Sequence, residues 1–217
     1  PVVHIARDGE GWRVTLATPD GPREVRTRAV VNCAGVWVDE VTALTGANGP
    51  QLNSGAKGTN IVLRLPERFR GIGLDTVTST GMAFYLIPWG DLHYVGPWDS
   101  PSDGRRGDFR ATGQEIDAIL NELALMFPDL GLSRKDVVFS WAGARPRTAQ
   151  EGQPLGSMEV LEHDLTDQGM PNFFVFTGGL LMTHRDAGRR LTAAVARRLR
   201  PSCPPLPLDY SARAVPD

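Results

Sequence analysis

The run Ala29-Val30-Val31-Asn32-Cys33-Ala34-Gly35-Val36-Trp37 decides the fold class. Ala29 to Cys33 is apolar almost throughout, which predicts a strand buried on both faces. On that reading Cys33 is a buried small hydrophobe. Ala34 and Gly35 make a small-residue turn, and Trp37 to Leu44 predicts a helix. A buried strand, a tight turn and a helix together form an α/β junction, where ligands meet strand ends. Small residues there let a cofactor approach the backbone closely. The same residues also serve a plain strand-to-helix connector.

A second run of this kind lies far along the chain. Asn172 to Phe176 predicts another buried strand, followed by Thr177-Gly178-Gly179 and a helix from about Thr183 to Arg200. The helix carries Ala187, Leu191, Ala194 and Val195 on one face. Free N–H groups and the positive end of that helix would stabilise electron density on an anion or a reduced ring. A simple connector remains the other reading.

Between and around these runs the sequence is mostly strand-like. Val2 to Ile5, Trp12 to Ala17 and Glu24 to Arg28 are separated by the turn clusters Asp8-Gly9-Glu10-Gly11 and Pro19-Asp20-Gly21-Pro22, which predicts a β-meander. Residues 46–58 read as a loop, and Asn60 to Leu65 as a strand. Met82 to Pro88 and Leu92 to Gly96 flank Trp89-Gly90-Asp91, a hairpin signal. Residues 97–111 are polar and Gly-rich and predict an exposed loop. The spacing of Ile116, Ile119, Leu120, Leu123, Met126 and Phe127 predicts a helix over 113–127, with a Thr112–Glu115 capping box and Pro128 as its stop. Val137 to Trp141 reads as a strand and Gly143 to Thr148 as a turn carrying Arg145. Residues 201–217 are Pro-rich and read as a tail. The fold class expected is α+β: a mixed or antiparallel sheet with helices, joined to part of an α/β domain.

Composition narrows the function classes. The chain has 217 residues, 41% of them hydrophobic, with a net charge of -2. A slightly acidic chain with dispersed arginines does not fit a nucleic-acid binder. Cys33 and Cys203 cannot build a disulfide framework, so a reducing cytoplasm is expected. No apolar stretch reaches membrane-spanning length. The four histidines lack metal-ligand spacing, so no metal is expected. Gly71-Ile72-Gly73 is not a dinucleotide fingerprint, and Glu159, Glu162 and Asp164 read as a solvated charge cluster. The chain opens at Pro1 inside a β-branched run, so it is expected to be the later portion of a longer enzyme. A third stretch with chemical potential is Ser140-Trp141-Ala142-Gly143-Ala144-Arg145-Pro146, in which Arg145 suits bidentate recognition of a phosphate or carboxylate.

Taken in order, these stretches resemble the FAD-dependent glycerol-3-phosphate dehydrogenases, within the wider D-amino-acid-oxidase-like flavoproteins. The matching segments are Val31 to Asp39, Lys57-Gly58-Thr59-Asn60-Ile61-Val62, Phe84 to Trp89, Gly96 with Asp99, Val137 to Pro146, and Gly178-Gly179 through Arg185. The resemblance implies that residues 1–45 and 166–200 belong to an FAD-binding domain, 46–165 form a substrate domain, and the N-terminal Rossmann half lies outside the chain. It implies FAD as cofactor, held at Ala34, Gly35, Trp37, Gly178, Gly179, Leu181 and Thr183. It implies Arg145 as the anion anchor, with Lys57 and Asn60 in the catalytic motif. A small anionic substrate, a quinone acceptor and peripheral membrane association follow from the same likeness, and an isolated fragment would be inactive.

The sequence also departs from the family pattern. Asn60 stands where the family's Lys-Gly-Ser-His motif has a His, and Asn takes no proton at neutral pH. Leu180 and Met182 stand in the place of a Lys and a Thr, and Met158-Glu159 where a second phosphate-binding Arg is expected. Trp98 is expected to set a bulky ring on the substrate side. Three readings follow: a glycerol-3-phosphate dehydrogenase, a flavin oxidoreductase for another anionic substrate such as a 2-hydroxy acid or an amino acid, and a binding module that has lost its chemistry.

Overall fold

The computed structural model describes residues 1–102 and 109–203. In chain order the strands and helices are β1 (Val2–Asp8), β2 (Gly11–Thr18), β3 (Gly21–Thr27), β4 (Val30–Asn32), α1 (Val38–Ala43), β5 (Ala56–Leu63), β6 (Leu74–Val77), β7 (Ala83–Trp89), β8 (Leu92–Pro101), α2 (Gly113–Met126), β9 (Val137–Arg145), β10 (Thr148–Gln150), β11 (Gln153–Ser157), β12 (Leu161–Asp164), β13 (Phe173–Thr177) and α3 (His184–Leu199). This is an α+β fold of mixed and antiparallel sheets with few helices. The Pro-rich residues 204–217 lie outside the described residues.

The turn clusters of the first segment close the expected meander β1-β2-β3. Its largest apolar side chain, Trp12, packs edge-on to Phe173 and donates Nε1–H to the Pro171 carbonyl. That contact ties the meander to β13. The largest sheet is antiparallel, in the order β6-β7-β8-β5-β9. Its Ile61, Leu63, Phe84, Leu86 and Val95 meet Ile119, Leu120 and Leu123 of α2 in one core. Burying each such side chain stabilises the fold by roughly 1.5–3 kcal/mol. Helix α2 begins at the expected capping box, with Thr112 and Glu115 each serving the other's backbone N–H.

Several expectations need correction. The loop expected over 46–58 ends early, because β5 starts at Ala56. The loop expected over 97–111 is strand as far as Pro101, paired with β5; of the rest, residues 103–108 lie outside the described residues. The turn expected over Gly143 to Thr148 is strand through Arg145. Strand partners override local turn propensity in all three cases. Strand β4 is not buried on both faces: only Asn32 is buried, Val31 is 43% exposed, and Cys33 is exposed. It lies at the edge of the sheet β12-β13-β4, so one side lacks a neighbour among the described residues. The charge cluster is not simply solvated either. Glu162 and Asp164 lie on β12 and pair with Arg190 and Arg198 of α3 at 2.7 and 2.8 Å.

Candidate functional site

Strands β4 and β13 are parallel neighbours, with Val30 opposite Phe173 and Asn32 opposite Val175. Parallel strands leave a sheet on the same side, so the two small-residue turns lie at one edge. The first turn is Ala34-Gly35, leading through a 3-10 turn (Gly35–Trp37) into α1. Gly35 has a φ of 62° and open space where a Cβ would stand. The second turn is Gly178-Gly179, with φ values of 70° and 80°. A Cβ on Gly178 would come 2.0 Å from the Glu159 carbonyl oxygen, so only glycine fits. Buried Asn32 holds the first junction together, donating Nδ2–H to the Val38 carbonyl at 2.8 Å and accepting from the Ala34 N–H.

The edge between these turns is apolar and open. Trp37 is 49% exposed, and Leu181 and Met182 are 87% and 79% exposed, beside Leu180 and Val31. Two glycine turns at one carboxyl edge, with large apolar side chains around them and the start of α3 behind the second, fit a flat aromatic cofactor. Ala34, Gly35, Trp37, Gly178, Gly179 and Leu181 would hold it. Thr183, the remaining candidate, closes the second turn: its hydroxyl accepts the Leu180 N–H and donates to the Leu180 carbonyl.

Alternation along β5 separates the remaining candidates. Lys57, Thr59, Ile61 and Leu63 face α2, whereas Gly58, Asn60 and Val62 face the open side. Lys57 therefore does not join Asn60. Its Nζ lies 2.8 Å from Glu115 Oε1 in a pair that is 14% and 9% exposed. Burial pushes the Glu115 carboxyl up, but Lys57, the Thr112 N–H, Ser100 and Thr59 outweigh it and hold the group down to about 2.

On the open side Asn60 sits opposite Trp141, and Tyr94 packs edge-on to the same indole. Trp89 and Phe139 extend this aromatic surface. Trp98 is not on it. Between Thr59 and Ile61 of β5 only one residue intervenes, whereas Gly96 and Pro97 both lie between their partners Val95 and Trp98 on β8. That bulge reverses the alternation. Trp98 is thereby packed against the core beneath α2, and Asp99 is brought to the open side instead.

Asp99 organises a cluster that sequence reading missed. Its Oδ1 accepts from Arg145 Nη1 at 2.8 Å and its Oδ2 accepts from Arg147. The chain from Arg145 to Thr148 then passes both glycine turns. The Arg147 N–H donates to Asn53 Oδ1, and Asn53 Nδ2 donates to the Val36 carbonyl in the first turn. Thr148 Oγ1 donates to Thr177 Oγ1 at 2.8 Å, one residue before the second turn. His163 Nε2 lies 2.8 Å from the same Thr177 hydroxyl, and burial, against the pull of Glu162 and Asp39, holds this imidazole below its ordinary value. The Arg145-Pro146-Arg147 doublet was the available signal, since two arginines so close at a strand end can share one carboxylate. Among the described residues no group of His, Cys, Asp and Glu is arranged to hold a metal ion, and no helix is long and apolar enough to cross a membrane.

An α/β edge with paired glycine turns thus lies beside an antiparallel sheet that carries the Arg145–Asp99–Arg147 cluster. Comparison with known proteins gives the class. Residues 1–197 match the DAO family model, FAD dependent oxidoreductase, and the chain belongs to that family. It is 30% identical over 191 residues to a glycerol-3-phosphate dehydrogenase of Synechocystis sp., covering 82% of this chain and 34% of the relative. It is 30% identical over 196 residues to a D-erythritol 1-phosphate dehydrogenase of Brucella abortus, covering 88% and 38%. The structure of a glycerol-3-phosphate dehydrogenase from Bacillus halodurans complexed with FAD superposes with a TM-score of 0.67 at 27% identity, over 94% of this chain and 39% of that one. The chain thus spans about a third of the length of the curated relatives it matches.

Proposed function

We propose that this chain supplies the substrate-facing sheet and the flavin-facing edge of a dehydrogenase that oxidises glycerol 3-phosphate to dihydroxyacetone phosphate. The observation that carries the reading is the course of Arg145 to Thr148, which ties the anion-ready face to both glycine turns within four residues. The named activities of the relatives point to phosphorylated polyols as the substrate class. When bound, FAD would supply the hydride acceptor for the carbinol carbon, and the hydroxyl proton would leave to bulk solvent. Arg145 binds the substrate anion through its fork of N–H donors. Asn60 orients the reacting hydroxyl by a hydrogen bond and takes no proton itself, because an amide is not a base. Trp37, Leu181 and Met182 keep water from the reacting face. A quinone is the proposed final acceptor.

Asn60 and the apolar Leu180 also favour a second reading, a donor of the same charge type but different skeleton, such as a 2-hydroxy acid or an amino acid. Anaerobic titration of the complete, FAD-loaded protein separates the two. Bleaching of the flavin absorbance by glycerol 3-phosphate is expected. Bleaching by a 2-hydroxy acid or an amino acid alone would establish the second reading, and a colourless complete protein would overturn both.

A further inference from the structure

We infer that Asp99 is a positioning residue for the substrate anion and acts through Arg145; the inference rests on the reading of Arg145 as the anion anchor. An arginine that binds an anion from a free rotamer ensemble loses side-chain entropy as it does so. Here the fold has ordered the side chain in advance. Its stem lies directly on β5 at Gly58, where a Cβ would stand 2.7 Å from Arg145 Cδ and 3.3 Å from Nε. Its head is held from the side by Asp99, which is 3% exposed while Arg145 is 35% exposed. The carboxylate thus lies underneath, and the guanidinium presents its remaining edge outward.

The second arginine explains why this arrangement still attracts an anion. One arginine on one aspartate makes a neutral pair, which gives an incoming anion little net pull. Arg147, 7% exposed, occupies the other oxygen of the same carboxylate. The three side chains then carry one net positive charge, and the most exposed of them is Arg145. The Arg147 backbone is itself fixed, because its N–H donates to Asn53 Oδ1. Asp99 therefore sets where Arg145 points, and Arg147 restores the charge that Asp99 removes.

The test uses the complete FAD-loaded protein, with the donor that bleaches its flavin and with inorganic phosphate as competing anion. Asp99→Asn, Arg145→Ala, the double variant and Gly58→Ala are compared by KM, kcat, phosphate inhibition and thermal midpoint. Asp99→Asn is expected to raise KM and weaken phosphate inhibition on the order of tenfold, with kcat changed far less. In the Arg145→Ala background the same change is expected to add less than about twofold. Gly58→Ala leaves every charge in place and crowds the pair itself, its methyl meeting the arginine stem at 2.7 Å and Asp99 Oδ1 at 3.2 Å. It is expected to raise KM in the same direction, and it decides the matter if Asp99→Asn does not fold. Equal losses from Asp99→Asn with and without Arg145, or an unchanged KM in Gly58→Ala, would overturn the role of Asp99. An unchanged KM in Arg145→Ala would instead overturn the anchor reading beneath it.

Discussion

Replacing Glu115 by Gln probes the joint between α2 and the sheet. Glu115 accepts from Lys57, the Thr112 N–H, Ser100 and Thr59. Gln keeps the shape, but it removes the charge and turns one acceptor into a donor facing other donors. The carboxyl is held at about 2 rather than the ordinary 4.5, which is worth about 3 kcal/mol at about 1.4 kcal/mol per pH unit. The pair is no more than 14% exposed, so solvent screening takes little from that figure. Breaking one side of a buried ion pair costs about 3–5 kcal/mol by independent reasoning. Because the folded-state value lies below the unfolded one, the contribution is complete above 4.5 and disappears as the pH falls through about 2. Urea unfolding followed by far-UV circular dichroism reads it out. At a slope of about 2 kcal/mol per molar, the midpoint near neutral pH is expected to fall by about 1.5 M. The gap between wild type and variant is expected to narrow at about pH 3. A midpoint loss below about 0.5 M, or a gap of constant size across this range, would refute the assignment.

Two further expectations concern the flavin edge. Gly178→Ala, whose methyl meets a backbone carbonyl at 2.0 Å, is expected to cost more than about 3 kcal/mol and to release FAD, whereas Gly35→Ala, at φ 62° in open space, is expected to cost only about 1–2 kcal/mol; thermal melts and flavin retention after gel filtration separate the two, and equal losses would contradict the geometry. His163 is held below its ordinary 6.5, so it favours the folded state fully above that value and progressively less as the pH falls. His163→Gln is expected to flatten stability below about pH 6.5, measured as thermal midpoint against pH.

What the sequence made legible was local. The cap and spacing of α2 appear in Thr112, Glu115 and the apolar series from Ile116 to Phe127, and the structure keeps them all. The strand before Gly178-Gly179 is buried as read, because Phe173, Phe174 and Val175 lie in the middle of their sheet. Val31 and Cys33 have the same apolar look but lie at an edge, and composition does not distinguish the two positions. Strand parity already set Lys57 with Ile61 and Leu63, away from Asn60. The bulge at Gly96-Pro97 was not legible, and it exchanged the places of Trp98 and Asp99. Strand β11 carries Pro154 and Gly156, and its pairing with β10 comes from tertiary contact rather than propensity. The bond from Asp99 to Arg147 joins residues distant in the chain, and such pairs leave no periodic trace.

The parallel pairing of Val30 with Phe173 has a kinetic meaning as well. Nearly the whole antiparallel sheet is synthesised between those two positions, and closing so long a loop carries an entropic cost that only completed neighbouring structure offsets. The two glycine turns are therefore expected to meet late, after β5 to β9 and α2 have formed. Flavin capture at this edge would report that this long-range contact has been made, and a nascent or partly unfolded chain in which the turns are apart would be unable to hold the ring.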